Sequence, residues 1–340
     1  MKPPTEVVIT DVALRDGLQN EPRTLTLQAK RELAEGLIRS GIRSLEVGSF
    51  VNPSRVPQMA DTAQLFAALP RTEGVEYLAL VPNLTGLQRA TAAHVSRVRL
   101  VLSASEGHSR SNTNRSVDDG IKEAAAVLQR CRSDRPGGLG KQIQCSAAIA
   151  TAFTCPFDGT VPYEQLRRVV AGLVAVGFEE VSLADTLGSA NPAQVRSTVA
   201  RIRDAYPSLR LSLHLHNTYG MALANVQATL EEGIDRYDAA LGGIGGCPFA
   251  PGAAGNMATE DIVFMLEAMG ITTGVDLGSL AQPARQLRAE LDRPLDSSVS
   301  RALCWVPDDT ADHTRQRAGS LRCLHEEPEA RAGACRCRRD

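Results

Sequence analysis

Apolar runs of strand length alternate with helix-period segments along most of the chain. The runs are Val7–Leu14, Ser44–Phe50, Glu76–Val81, Arg97–Ser103, Gln142–Ile149, Glu179–Asp185, Leu209–His216 and Arg236–Leu241. Between the sixth and its predecessor, Leu166, Val169, Val170, Leu173 and Val174 recur at i, i+3, i+4, i+7 and i+8, one apolar stripe, and Gly177 follows as a C-cap. Leu33, Leu37 and Ile38 before Gly41 repeat the device. A junction phrase also recurs: Gly41-Ile42-Arg43-Ser44-Leu45, Gly177-Phe178-Glu179-Glu180-Val181 and Gly233-Ile234-Asp235-Arg236-Tyr237 each run from a helix-ending glycine through an apolar residue into the next strand. Eight strand–helix units predict an α/β fold, a closed (β/α)8 TIM barrel of about 250 residues, rather than an open doubly wound sheet. A dinucleotide fold would carry G-x-G-x-x-G after its first strand. Here Arg15-Asp16-Gly17-Leu18-Gln19 stands in that place.

The eighth helix is expected over Thr259–Met269, with one extra C-terminal helix about Leu280–Leu291 packed on the barrel. Past Pro294 the pattern stops. Residues 1–295 are therefore read as one catalytic domain and 296–340 as an irregular, disordered tail, rich in Arg, Asp, Glu, His and Cys without periodicity from Asp308 on.

One stretch is neither strand nor helix. Between Gly242 and Gly252 the chain holds seven glycines or prolines, and Asn256 follows closely. Either it is a flexible connector, or it is a functional loop whose backbone can approach a ligand and which carries Cys247 and Asn256.

Composition narrows the class. With 340 residues, 43% of them hydrophobic and 22% charged, the chain is long enough for a large core. A net charge of -2 gives no global attraction to nucleic acid or anionic membrane, and neither partner is expected. No run approaches the roughly 18 apolar residues of a membrane span, and Met-Lys-Pro-Pro-Thr-Glu lacks an apolar signal core, so a cytoplasmic protein is expected. Cys131, Cys145, Cys155 and Cys247 are scattered, which suits a reducing compartment. Cys304, Cys323, Cys335 and Cys337 read as tail thiols without zinc-site spacing.

Catalytic groups of such barrels collect at the C-terminal ends of the strands. Arg15, Asp16, Glu46, Asp185, His214, His216, Cys247 and Asn256 all meet that condition. His214 and His216, at i and i+2 of a strand, point to one face. Neighbouring imidazoles either bind a metal or repel when protonated. With the Asp16 carboxylate and the Asn256 amide oxygen they make a mixed N/O set suited to Mg2+ or Mn2+ in octahedral geometry. Arg15 beside such a cation makes sense if the site handles anions, with Glu46 orienting it. The only lysines are Lys2, Lys30, Lys122 and Lys141, none at the C-terminal end of a barrel strand. That sets aside Schiff-base and carbamylated-lysine chemistry and leaves metal-assisted carbon–carbon cleavage or formation through an enolate.

These residues resemble the hydroxymethylglutaryl-CoA lyases, within the DRE-TIM metallolyase superfamily. The resemblance covers about Val7 to Ala289. It rests on Asp11-Val12-Ala13-Leu14-Arg15-Asp16-Gly17-Leu18-Gln19-Asn20-Glu21, Glu46-Val47-Gly48-Ser49-Phe50-Val51, Val56-Pro57-Gln58-Met59-Ala60-Asp61, Ser103-Ala104-Ser105-Glu106, Ser182-Leu183-Ala184-Asp185-Thr186, His214-Leu215-His216-Asn217-Thr218-Tyr219-Gly220 and, most specifically, Gly245-Gly246-Cys247-Pro248-Phe249. It implies retro-Claisen cleavage of 3-hydroxy-3-methylglutaryl-CoA to acetyl-CoA and acetoacetate, with Asp16, His214, His216 and Asn256 binding the divalent metal. Arg15, held by Glu46, would stabilise the enolate of the departing acetyl-CoA, and Cys247 would take part in proton transfer. Asp185, counted with the catalytic groups, would line the acyl pocket with Gln19, Ser49 and Ser182. Arg110 and Asn112 match a stretch that contacts CoA. The expected partners are an acyl-CoA substrate and a second copy of the chain, as a dimer. Asn217 stands where the family usually has Asp, and Pro22 where Lys is common. The alternatives are a lyase for a longer 3-hydroxy-3-acylglutaryl-CoA, and a barrel that binds CoA esters without turning them over.

Overall fold

The strand pattern closes on itself in the structure, a computed structural model that describes residues 3–133, 142–246 and 255–302. The barrel strands are β1 (Val8–Asp11), β2 (Ser44–Ser49), β3 (Glu76–Val81), β4 (Arg97–Ser103), β5 (Gln144–Ala150), β6 (Glu180–Asp185), β7 (Arg210–Leu215) and β8 (Arg236–Ala239). All are parallel, each paired with its sequence neighbour, and β1 also pairs β8 in the register Val8↔Arg236 to Asp11↔Ala239. The expected (β/α)8 TIM barrel is the fold found. An antiparallel hairpin, Thr154–Cys155 with Gly159–Thr160, decorates the β5 exit.

Eleven α-helices accompany the described strands: α1 (Leu27–Arg39), α2 (Thr62–Ala68), α3 (Leu84–Ala92), α4 (Glu106–Thr113), α5 (Val117–Ser133), α6 (Tyr163–Val176), α7 (Pro192–Ala205), α8 (Ala222–Leu230), α9 (Thr259–Ala268), α10 (Ala281–Leu291) and α11 (Ser298–Ala302). The stripe on α6 buries Leu166, Val169, Val170 and Leu173 against the sheet, and Gly177 ends the helix at φ 104°, where an L side chain would be strained. Helix α10 lies on α1, with Pro283 against Gly36. Among the described residues no helix is long and apolar enough to cross a membrane.

Two boundaries differ from the sequence reading by more than two residues, each for a local reason. The apolar run predicts a first strand reaching Leu14, but the strand stops at Asp11. The Asp11 carboxylate accepts the Ala13 amide at 2.9 Å, and the Gly17 amide reaches back five residues to the Val12 carbonyl at 3.1 Å. A wide helical turn, Ala13–Gly17, results and carries Arg15 and Asp16 over the barrel mouth. At the other end, regular structure does not stop at Pro294. The Asp296 amide donates to the Gly242 carbonyl at 2.9 Å, and Asp261 accepts Ser297 Oγ and the amides of Ser298 and Val299, which starts α11. The stretch from residue 303 on, with its four cysteines, lies outside the described residues.

Strands β4, β6, β7 and β8 alternate between two environments. Val98 and Leu100, Val181 and Leu183, and Leu211, Leu213 and Leu215 are buried toward the helices. The intervening Arg99, Ser182, Ser212, His214 and Asp238 are also buried, and they share the opposite, lumenal face. The barrel interior is thus unusually polar. It leads to the site at its C-terminal mouth.

Candidate metal centre and active site

Four separate devices bring the site together. The turn after β1 supplies Arg15 and Asp16, β2 supplies Glu46, and the end of β7 supplies His214 and His216. The fourth is the return of the Gly-rich loop, which re-enters as an extra extended segment between the ends of β7 and β8. The Met257 amide donates to the Leu215 carbonyl at 3.3 Å, the Ala240 amide to the Met257 carbonyl at 2.9 Å, and the Asn217 amide to the Gly255 carbonyl at 2.7 Å. This stitching sets Asn256 beside His216. Glycine is required there for close approach: a Cβ on Gly245 would stand 2.5 Å from Asn256 Nδ2, and one on Gly255 would stand 2.5 Å from the carbonyl carbon of Gly245.

The donor atoms converge. His214 Nε2 and His216 Nε2 are 3.1 Å apart, and they lie 3.7 and 3.6 Å from Asp16 Oδ2. Adjacent ligands of an octahedral cation at about 2.1 Å stand about 3.0 Å from each other, so the imidazole pair has the spacing of neighbouring ligands. Among the described residues Asp16, His214 and His216 are the group of His, Cys, Asp and Glu side chains able to hold a metal ion together. The residues fit a divalent cation. Asn256 differs from the sequence reading, which gave its amide oxygen as a ligand: it turns its amide nitrogen to the cluster, donating to Asp16 Oδ2 at 2.8 Å and to the Ile244 carbonyl at 3.0 Å, and so holds Asp16 in place.

Arg15 is clamped on two sides. Its Nε and Nη2 each lie 2.6 Å from Glu46 Oε2, and its Nη1 donates to Asp16 Oδ1. Glu46 is fully buried, which excludes a solvated rim position, and its Oε1 has no partner. Burial alone would raise the Asp16 carboxyl, but the Arg15 guanidinium and then the His216 and His214 rings hold it well below the usual carboxylate range. Burial opposes the charge on Arg15, and Glu46 and Asp16 outweigh it, so the guanidinium stays protonated.

Beside His214 lies a buried ion pair that the sequence reading missed. Arg99 of β4 and Asp238 of β8 are on opposite sides of the barrel, and their ion pair crosses the lumen, Nη1 to Oδ2 at 2.5 Å and Nη2 to Oδ1 at 3.3 Å. The same Oδ2 lies 3.1 Å from His214 Nδ1. Against burial, Arg99 and His214 bring the Asp238 carboxyl down to about 2. Against burial, Asp238 and Asp16 raise His214. The signal was present in the alternation Arg97-Val98-Arg99-Leu100 and Tyr237-Asp238-Ala239, which puts a charge at a lumenal position in each strand.

The remaining expected residues divide. Ser49 and Ser182 are buried with hydroxyls that have no partner, and Gln19 is half-buried two residues past the turn that carries Arg15. Asp185 is buried at the end of β6, where its carboxylate accepts the amides of Ser189 at 3.2 Å and Ala190 at 3.0 Å; burial raises it despite those bonds. Arg110 and Asn112 stand exposed on α4, with Arg110 3.6 Å from Glu106. Cys247 lies outside the described residues.

Comparison with known proteins shows the family and the fold. A family model described as HMGL-like matches residues 6–287. The chain is 43% identical over 306 residues to (R)-citramalyl-CoA lyase of Chloroflexus aurantiacus, covering 87% of this chain and 94% of that one. It is 39% identical over 294 residues to hydroxymethylglutaryl-CoA lyase YngG of Bacillus subtilis, covering 86% and 96%. The solved structure of an HMG-CoA lyase from A. baumannii, in complex with coenzyme A and 3-methylmalate, superposes with a TM-score of 0.81 at 38% identity, covering 88% of this chain and 95% of that one.

Proposed function

We propose, from the premise that the chain belongs to the HMGL-like family, that it is a divalent-metal-dependent carbon–carbon lyase cleaving 3-hydroxy-3-methylglutaryl-CoA to acetyl-CoA and acetoacetate. The observation that carries this reading is the convergence of Asp16, His214 and His216 beside an arginine locked by a buried glutamate.

Asp16, His214 and His216 would hold Mg2+ or Mn2+, and Asn256 would join them through its amide oxygen once the amide turns from Asp16; the cation, when bound, would polarise substrate oxygens and ease loss of the tertiary hydroxyl proton. In this reading Asp185, a buried carboxyl with raised proton affinity, takes that proton. The bond between C2 and C3 then breaks. Its electron pair passes into the thioester as an enolate, and the carbinol carbon becomes the ketone of acetoacetate. Arg15 donates to the enolate oxygen, and Glu46 prevents it from turning away. Cys247 delivers the proton that converts the enolate carbon to the methyl group of acetyl-CoA. The unpaired hydroxyls of Ser49 and Ser182, with Gln19, receive the acyl group, while Arg110 and Asn112 meet the CoA arm. A dimeric, cytoplasmic protein belongs to the same reading.

A second reading is favoured by the citramalyl-CoA lyase relative. Citramalyl-CoA undergoes the same cleavage with an acid arm one methylene shorter, giving pyruvate in place of acetoacetate. A pocket that discriminates by one methylene separates the two by about 10- to 200-fold. Purified protein supplied with Mg2+ or Mn2+ should therefore be assayed on both thioesters, with products identified and kcat/KM compared. Acetoacetate formed with the higher kcat/KM supports the first reading, and pyruvate formed with the higher value supports the second. Absence of both products, with or without added thiol, would sink the lyase assignment.

A further inference from the structure

We infer that Asp238 is a positioning residue of the cation site: it fixes His214 with a proton on Nδ1 and a bare lone pair on Nε2, and Arg99 holds it in that role. The inference rests on the metal reading above, and it concerns two residues outside the donor set.

Three distances carry it. Asp238 Oδ2 accepts Arg99 Nη1 at 2.5 Å and faces His214 Nδ1 at 3.1 Å, while Oδ1 takes Arg99 Nη2 at 3.3 Å. A carboxylate gripped by a guanidinium has no proton to donate, so Nδ1 of His214 must be the donor. A neutral His214 then has its lone pair on Nε2, the atom that points at Asp16 and His216. The ring cannot swing, because Asp238 is tied across the lumen to a different strand and all three side chains are buried. His216 has no such support. Its Nδ1 is buried and unpartnered, so nothing on that side selects its tautomer. The two imidazoles are therefore unequal: His214 is preset as a ligand, and His216 must adjust when a cation arrives.

A merely structural bridge would fill the lumen equally well without touching His214, and the test separates the two. Asp238→Asn and the double variant Arg99→Met, Asp238→Leu are compared with the wild-type chain. The double variant removes both charges together, since the single change strands the Arg99 charge in the interior and can cost the fold. The first readout is Mn2+ affinity, from the electron paramagnetic resonance signal of free ion. The expected result is a dissociation constant about 10- to 100-fold weaker in whichever variant retains the wild-type circular dichroism. The second readout needs no metal. In 15N-histidine-labelled, metal-stripped protein, taken to a pH at which the His214 ring is neutral and with His214 assigned through His214→Gln, the ring should show the Nδ1–H tautomer, and that preference should be lost in the double variant. Mn2+ affinity within twofold of wild type, or an Nε2–H tautomer at His214 in the wild-type chain, overturns the inference. Wild-type protein that takes up no Mn2+ refutes the metal reading instead, and the tautomer alone then decides the role of Asp238.

Discussion

His214 and His216 present their Nε2 atoms to each other at 3.1 Å, with Asp16 Oδ2 3.7 and 3.6 Å away. Two bare lone pairs do not settle at that distance unless a proton or a cation lies between them. The pair is accordingly the most direct handle on the metal reading. Chelation should abolish turnover and Mn2+ or Mg2+ should restore it, while His216→Ala should lower kcat by about 10³-fold, near 4 kcal/mol, at saturating metal. Chelator-treated enzyme that keeps full activity after metal analysis shows it to be metal-free would contradict this.

Arg15 is held from one side by Glu46 and from the other by Asp16. Arg15→Ala should lower kcat by about 10²- to 10³-fold with little change in KM, because the guanidinium acts on charge that develops only during cleavage. Arg15→Lys should recover little, since one ammonium cannot span both carboxylates. Glu46→Gln should show a smaller loss of the same kind. Steady-state kinetics with all three variants tests the order, and an active Arg15→Lys enzyme would break it.

Two buried carboxyls away from the donors give the fold a pH signature. Burial pushes Glu260 from 4.5 up to about 7, even though it accepts the Gly242 amide, and pushes Asp11 from 3.8 up to about 6. A raised carboxyl binds its proton more tightly in the folded chain than in the unfolded one. Stability from Glu260 is therefore intact below pH 4.5 and is lost as pH rises through 7, by up to about 3 kcal/mol. Glu260→Gln, which keeps an acceptor for Gly242, should flatten that slope. Urea midpoints at several pH values from about 4.5 to about 7.5 measure it, and equal slopes in both proteins would reject the assignment.

The loop's neck makes a sharper structural test. Gly245, at φ 117°, leaves only 2.5 Å between the place a methyl group would take and Asn256 Nδ2. Gly245→Ala should displace Asn256 and weaken Mn2+ binding by about tenfold or more while leaving the melting temperature within a few degrees. Calorimetric titration of the variant measures the affinity, and an unchanged value would mean that Asn256 is dispensable.

Cys247→Ala should lower kcat by about 10²-fold or more and leave KM nearly unchanged, the signature of a lost proton-transfer group. Unchanged turnover would remove that role from the scheme.

Much of the fold is legible because barrel strands and helices write different periods into the chain. The runs at Glu76–Val81 and Arg97–Ser103 coincide with β3 and β4, and the α6 stripe with its glycine cap can be read residue by residue. What escapes reading is set by contacts between distant residues. Strand one ends early because Asp11 bonds to Ala13 and Thr259, and Thr259 is 248 positions away. Arg99 and Asp238 each look like a stray charge in an apolar run, since their pairing spans 139 positions and needs the closed lumen to exist. The donor set is legible from residue type and strand-end placement. The support beneath His214 is not, because it depends on which wall of a closed barrel faces which.

The donors also straddle the one junction that chain order leaves until last. Strand β1 is made first, yet one of its two edges waits for Arg236–Ala239 before it has a partner. Asp16 lies just past that early strand, and both histidines and Asn256 come from the final third of the described chain. No fragment short of the closed ring can therefore assemble the site. A cation seated there acts as a clasp on the finished barrel, adding about 2.7 kcal/mol at a concentration about 100 times its dissociation constant. Metal supply would then govern how long a newly made chain survives as well as how fast it works.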